Sequence, residues 1–169
     1  IARFNRSRGI WYVYDGKVWQ PDEGGLAVAE LAKLLADRLY TFALNIKDED
    51  ARNRYIKRVL KLQQRKNRKT MLEDAKSVHP ISFSAFDRNK YLFNCENGTL
   101  DLDTMEFRAH DPRDFITKMS HVTYDRDAVS PRWIQFIEEV MEGNRNVARY
   151  LQKCFGYSMT GDNSQHYLF

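Results

Sequence analysis

Ile10-Trp11-Tyr12-Val13-Tyr14, then Asp15-Gly16, then Lys17-Val18-Trp19: aromatic and β-branched runs flank a two-residue loop. Asp-Gly between such runs is a strong hairpin signal, because the tight loop needs positive φ angles that these residues tolerate. The reading places a β-hairpin over 10–20. Pro21 to Gly25 acts as a breaker, and the period then changes. Leu26, Leu31, Leu34, Leu35 and Leu39 fall at helical spacing and predict a long amphipathic helix over 26–44. A strand period giving way to a helix period points to an α+β chain.

Working outward, Asp48-Glu49-Asp50 supplies acidic first-turn residues for a second helix over 48–66. A short third helix is expected over 70–77. Tyr91–Asn94 and Gly98–Leu102 read as strands joined by an Asn97-Gly98 turn, giving a small central antiparallel sheet. Phe115 to Tyr124 reads as a further extended segment. Ser130-Pro131 matches an N-cap followed by proline at the first helical position. Trp133, Phe136, Ile137 and Val140 then define a helix over 131–142. Val147, Tyr150, Leu151, Cys154 and Phe155 define another over 144–156. The expectation is a predominantly helical α+β domain over 1–163.

With 169 residues, 43% hydrophobic and 13% aromatic, the chain can fill a core. No stretch approaches the roughly 20 apolar residues of a membrane span. Cys95 and Cys154 stand alone, as expected of reduced core thiols. His79, His110, His121 and His166 show no ligand spacing, which disfavours zinc. The chain starts without Met or a signal-peptide core, as an excised piece of a longer protein would.

The net charge of +4 is unevenly spread. Arg52 to Lys69 holds nine basic residues and no acidic one, leaving the rest of the chain at −5. At about 100° per residue, Arg54, Lys57, Arg58, Lys61, Arg65 and Arg68 would share one narrow arc of a single helix. Tyr55, Ile56, Val59, Leu60 and Leu62 would face a core on the other side. A cation stripe without interleaved acids repels itself by a few tenths of a kcal/mol per neighbouring pair. A polyanion reverses the sign, because phosphate contacts release condensed counterions. These six residues are therefore the candidate DNA-binding set, with an ordinary solvated face as the plainer reading.

Other candidates are weaker. Trp11, Tyr12, Tyr14 and Trp19 could stack bases, but strand alternation turns about half of them inward, and packing onto the 26–44 helix is favoured. Asp101-Leu102-Asp103 could set two carboxylates on one strand face for metal ions, yet Asp103-Thr104 reads as a turn. No G-x-S-x-G elbow is present, and Cys154 lies on an apolar helical face.

Three phrases resemble the N-terminal region of phage- and plasmid-type, poxvirus-like primase–helicases. They are Asn94-Cys95-Glu96-Asn97-Gly98-Thr99-Leu100-Asp101-Leu102, Pro131-Arg132-Trp133-Ile134-Gln135-Phe136, and Phe155 to Asp162 with Gln165-His166-Tyr167-Leu168-Phe169. The last reads as a helix end, a glycine turn, and a strand over 164–169. The resemblance implies that this strand opens a truncated superfamily III ATPase domain. The phosphate loop G-x-x-x-x-G-K-[ST] is not within these 169 residues.

From the resemblance we expect no catalytic residue, metal ligand or cofactor contact in this chain, with ATP and Mg serving a downstream domain. The expected role is a non-catalytic DNA-binding and linker domain of an ATP-dependent DNA helicase, with or without a primase module. Implied partners are single-stranded or forked DNA and further copies in a hexameric ring, in the cytoplasm of a bacterial host, with no membrane. Two alternatives stay open. One is an oligomerisation module using the helical faces near Trp133–Val140 and Tyr150–Phe155. The other is a metal-dependent nucleotidyl transferase built on Asp101 and Asp103.

Overall fold

β1 (Ala2–Asn5), β2 (Ile10–Tyr14) and β3 (Trp19–Asp22) form an antiparallel sheet, in that order, in the computed structural model, which describes residues 1–164. The chain divides into two compact units. One comprises Ile1–Asp15 and Trp19–Phe86; the other comprises Gly16–Val18 and the chain from Asp87 on. Both contain a small antiparallel sheet and helices, so the α+β reading holds. The strand expected at Gln165–Phe169 lies outside the described residues.

In the first unit the sheet has one strand more than the expected hairpin. β1 is four residues long and carries Arg3 and Asn5, so it shows no clear apolar alternation. The loop between β2 and β3 is also longer than Asp15-Gly16. Tyr14 pairs with Trp19, so Asp15 to Val18 all lie in the loop. Pro21 does not end the strand. It sits opposite Tyr12 on the edge strand β3, where a missing N–H costs no ladder bond. Asp22 then turns the chain into the helix α1 (Leu26–Leu44), its carboxylate accepting from the amides of Ala27 at 3.0 Å and Val28 at 2.9 Å.

α1 has the expected bounds, but its buried face is only partly the expected one, with Leu31 and Leu39 half-buried on it. Val28, Ala32, Ala36 and Ala43 are buried, whereas Leu26, Leu34 and Leu35 are exposed. An alanine stripe lets neighbouring backbones approach closely. Both α2 (Glu49–Leu62) and α3 (Arg65–Ala75) pack on α1. Tyr12, Trp19, Val59, Ile81 and Phe86 complete this unit's buried apolar set, with Tyr12 and Phe86 in ring contact at 4.4 Å.

The second unit holds the meander β4 (Leu92–Cys95), β5 (Gly98–Asp101) and β6 (Glu106–Arg108). β6 escaped sequence reading because it is short and charged. Buried Asn94 ties the sheet to its surroundings. Its Oδ1 accepts from Thr99 Oγ1 at 2.8 Å and lies 2.9 Å from His110 Nδ1, while its Nδ2 donates to the Lys17 and Lys118 carbonyls. The segment expected to be extended over Phe115–Tyr124 forms no strand. It runs beside β4 through Ser120 N–H to Asn94 O and Glu96 N–H to Val122 O.

α4 (Pro131–Val140) and α5 (Arg145–Met159) follow, with Asn144 accepting from the amides of Asn146 and Val147 at the start of α5. α5 runs through Gly156 for three residues beyond the expected end, so of the two glycines in this phrase only Gly161 follows the helix. It ends at Met159 with Thr160 as its cap, and Gly161 N–H then donates to the Lys90 carbonyl at 2.7 Å.

Candidate nucleic-acid interface

Asp48 starts α2, its Oδ1 accepting the Ala51 amide at 2.6 Å with Glu49 and Asp50 in the first turn. Val59 is buried and Tyr55, Ile56 and Leu62 are half-buried on one side of the helix. Leu60, expected among them, is 50% exposed at the border of that face. Arg54, Lys57, Arg58 and Lys61 lie opposite and are all exposed. Among the described residues, no carboxylate lies within ion-pair distance of any of these four cations.

Arg65 and Arg68 do not continue this arc. The helix expected over 48–66 ends at Leu62, and Gln64 takes an extended conformation (φ −80°, ψ 129°) before α3 begins at Arg65. No glycine or proline marks the break. The terminal carbonyls of α2 are instead taken by side chains from α3. Asn67 Nδ2 donates to Lys61 O at 2.7 Å, and Arg68 Nη1 donates to Leu62 O at 2.9 Å and to Gln63 O. The six-residue stripe therefore divides. Four cations form the exposed face of α2, Arg65 stands exposed at the start of α3 near Lys66 and Lys69, and half-buried Arg68 is a helix cap. α3 starts five residues earlier than the expected short helix and ends at Ala75.

The hairpin aromatics divide too. Tyr12 and Trp19 are buried and belong to the core, as packing predicts. Trp11 is half-buried and lines a cleft of about 820 Å³, together with Phe4 from β1 and Arg65, Arg68 and Lys69 from α3. Sequence reading missed this grouping, since its members lie far apart along the chain.

Asp101 turns out to shape a turn. Its Oδ1 accepts from the amides of Asp103 at 2.9 Å and Thr104 at 3.2 Å, leading the chain towards β6, and Asp103 is exposed. Both buried cysteines are free thiols, and burial pushes the Cys95 thiol above its usual range. Among the described residues no cluster of three metal-ligating side chains is found. No helix there is long and apolar enough to cross a membrane.

A family model described as D5 N terminal like matches residues 2–142, most of the chain. The chain belongs to the D5 N-terminal-like family. This domain is found in phage and plasmid primase–helicases, where it is a non-catalytic N-terminal region. The match takes in both sheets and α1 to α4, and it stops before α5. A comparison with curated proteins found no match.

Proposed function

We propose that this D5 N-terminal-like domain is a DNA-binding and linker domain of a primase–helicase, gripping the DNA backbone with the exposed face of α2. The observation that carries the reading is the set of Arg54, Lys57, Arg58 and Lys61, which share one helical face without a carboxylate partner among the described residues. The domain accepts the self-repulsion of these charges, and a row of phosphates would relieve it. Contacts of this kind fix position on the backbone without reading bases. In the whole protein the ATP and Mg chemistry belongs to a superfamily III ATPase domain downstream, working in the cytoplasm of a bacterial host. Fluorescence anisotropy with labelled oligonucleotides of unrelated sequence tests the reading. Affinities should be similar for all of them and fall steeply with salt; absence of binding at low salt contradicts it.

One observation favours a second role beside the first. Trp133, Ile134, Val140 and Phe155 on α4 and α5 are each about half exposed and Tyr150 rather more, an unusual concentration of large apolar side chains. Subunit contacts in a homo-oligomeric ring would cover them. Sedimentation of the wild type and of Tyr150→Glu over a range of concentrations tests this role. Assembly that weakens in the variant supports it, and a concentration-independent monomer removes it.

A further inference from the structure

The cleft of the first unit combines two chemistries. On its sheet side Phe4 and Trp11 are cross-strand partners of β1 and β2, with ring centroids 5.3 Å apart at 64°. Both rings are half-buried, unlike Tyr12 and Trp19 of the same sheet, which are 2% and 1% exposed. On its helix side Arg65 and Lys69, one turn apart on α3, are exposed and have no carboxylate partner among the described residues. The neighbouring cations are engaged: Lys33 pairs with Glu30, and Lys76 pairs with Glu73 while lying 5.1 Å above the Phe4 ring. The open functional groups of the cleft are thus an aromatic surface and two unpaired cations.

We infer that this cleft is a base-stacking subsite for single-stranded nucleic acid, in which Trp11 receives a nucleobase while Arg65 and Lys69 hold the adjoining phosphates. Aromatic rings stack every base alike, and cations beside them track the backbone. A volume of about 820 Å³ is ample for one nucleotide. In a duplex the bases are already stacked on one another, so the subsite selects single strands. This inference rests on the proposed backbone contact by α2 and adds the strand preference that α2 alone does not supply.

The test compares a labelled thymidine oligomer with an abasic oligomer of equal length, which keeps the phosphates and removes the bases. The 169-residue chain should bind the thymidine oligomer roughly 5- to 160-fold more tightly, the range that stacking of one base spans. Trp11→Leu keeps apolar bulk under the sheet and should bring that ratio towards one, while Trp11→Phe should retain most of it. Arg65→Gln with Lys69→Gln, on exposed positions that fill no core, should weaken both oligomers and reduce the salt slope by about 1.4. A ratio unchanged in Trp11→Leu, or a salt slope unchanged in the Arg65 and Lys69 variant, overturns the subsite. If salt-dependent binding persists in either case, the α2 contact still stands. Absence of binding to both oligomers at low salt overturns the subsite and the α2 reading together.

Discussion

Arg68 Nη1 donates to the carbonyl oxygen of Leu62 at 2.9 Å, tying the first turn of α3 to the last of α2. A guanidinium at a helix C-terminus meets both unsatisfied carbonyls and the negative end of the helix dipole. The most basic stretch of the chain therefore contains cations engaged by the fold, Arg68 here and half-buried Arg52 on the Ile46 carbonyl, beside others assigned to solvent.

Arg68 should consequently behave unlike its neighbours. Arg68→Ala should destabilise the first unit by about 1 kcal/mol, the scale of a lost charged hydrogen bond at a partly exposed site. Arg58→Ala, on the exposed face of α2, should stay within about 0.5 kcal/mol of wild type. Urea unfolding of both variants measures this. Equal stabilities would mean that the cap is not formed in solution.

Gly98 should not tolerate a side chain. A Cβ there would lie 2.5 Å from the Arg108 carbonyl oxygen and 2.6 Å from Phe107 Cζ, and the backbone oxygen cannot swing aside without breaking the pairing of β5 with β6. Gly98→Ala should cost about 2 kcal/mol through overpacking. Far-UV circular dichroism during denaturant unfolding checks it. A neutral effect would show that β6 relaxes freely.

Asp111 should titrate unusually low. The Arg113 guanidinium, hydrogen-bonded to its carboxylate, and the Arg113 backbone amide hold it at about 2 rather than the usual 3.8. A carboxylate with a depressed folded-state pKa binds its proton more readily once unfolded. Its stabilising contribution is present above the unfolded value and disappears as pH falls through about 2. Carboxyl-carbon NMR should place the Asp111 midpoint near 2 in wild type and move it up in Arg113→Ala. A midpoint near 3.8 in wild type would mean that the pair is open in solution.

Cys95 and Cys154 are buried, and burial raises the Cys95 pKa. Because the thiolate is the reactive form, a thiol-reactive dye at pH 8 should label neither residue quickly in the native state and both in denaturant. Fast native labelling of Cys95 would place it nearer to solvent than the structure does.

Sequence reading was strongest where the signal is local. The start of α1 follows from the Gly24-Gly25 pair and the helical period after it, although Pro21 lies within β3, and Asp48 marks the start of α2. It failed where tertiary contacts decide. The fully buried positions of α1 are Val28 and three alanines, with Leu31 and Leu39 half-buried and Leu26, Leu34 and Leu35 exposed, a choice made by what packs against the helix. The break at Gln63-Gln64 has no glycine or proline, and the side chains that satisfy the carbonyls around it come from Asn67 and Arg68. β1 and β6 are short and carry arginine, so neither shows a clean alternation. The four cations of α2 were legible because one helix presents them. The cleft was not, because Trp11 and Arg65 come together only through the fold.

The exposed face of α2 is tested most directly by the salt dependence of DNA binding in Arg58→Glu with Lys61→Glu. If Arg54, Lys57, Arg58 and Lys61 each meet a phosphate, these four should contribute about −2.8 to the wild-type slope of log affinity against log salt on single strands, or about −3.6 on duplex. The double reversal removes two contacts and adds repulsion. It should lower affinity for unrelated sequences alike and flatten the slope by about 1.4 on single strands, with the fold intact. A reversal that binds as tightly as wild type, with the same slope, would contradict the assignment of α2 as the DNA contact.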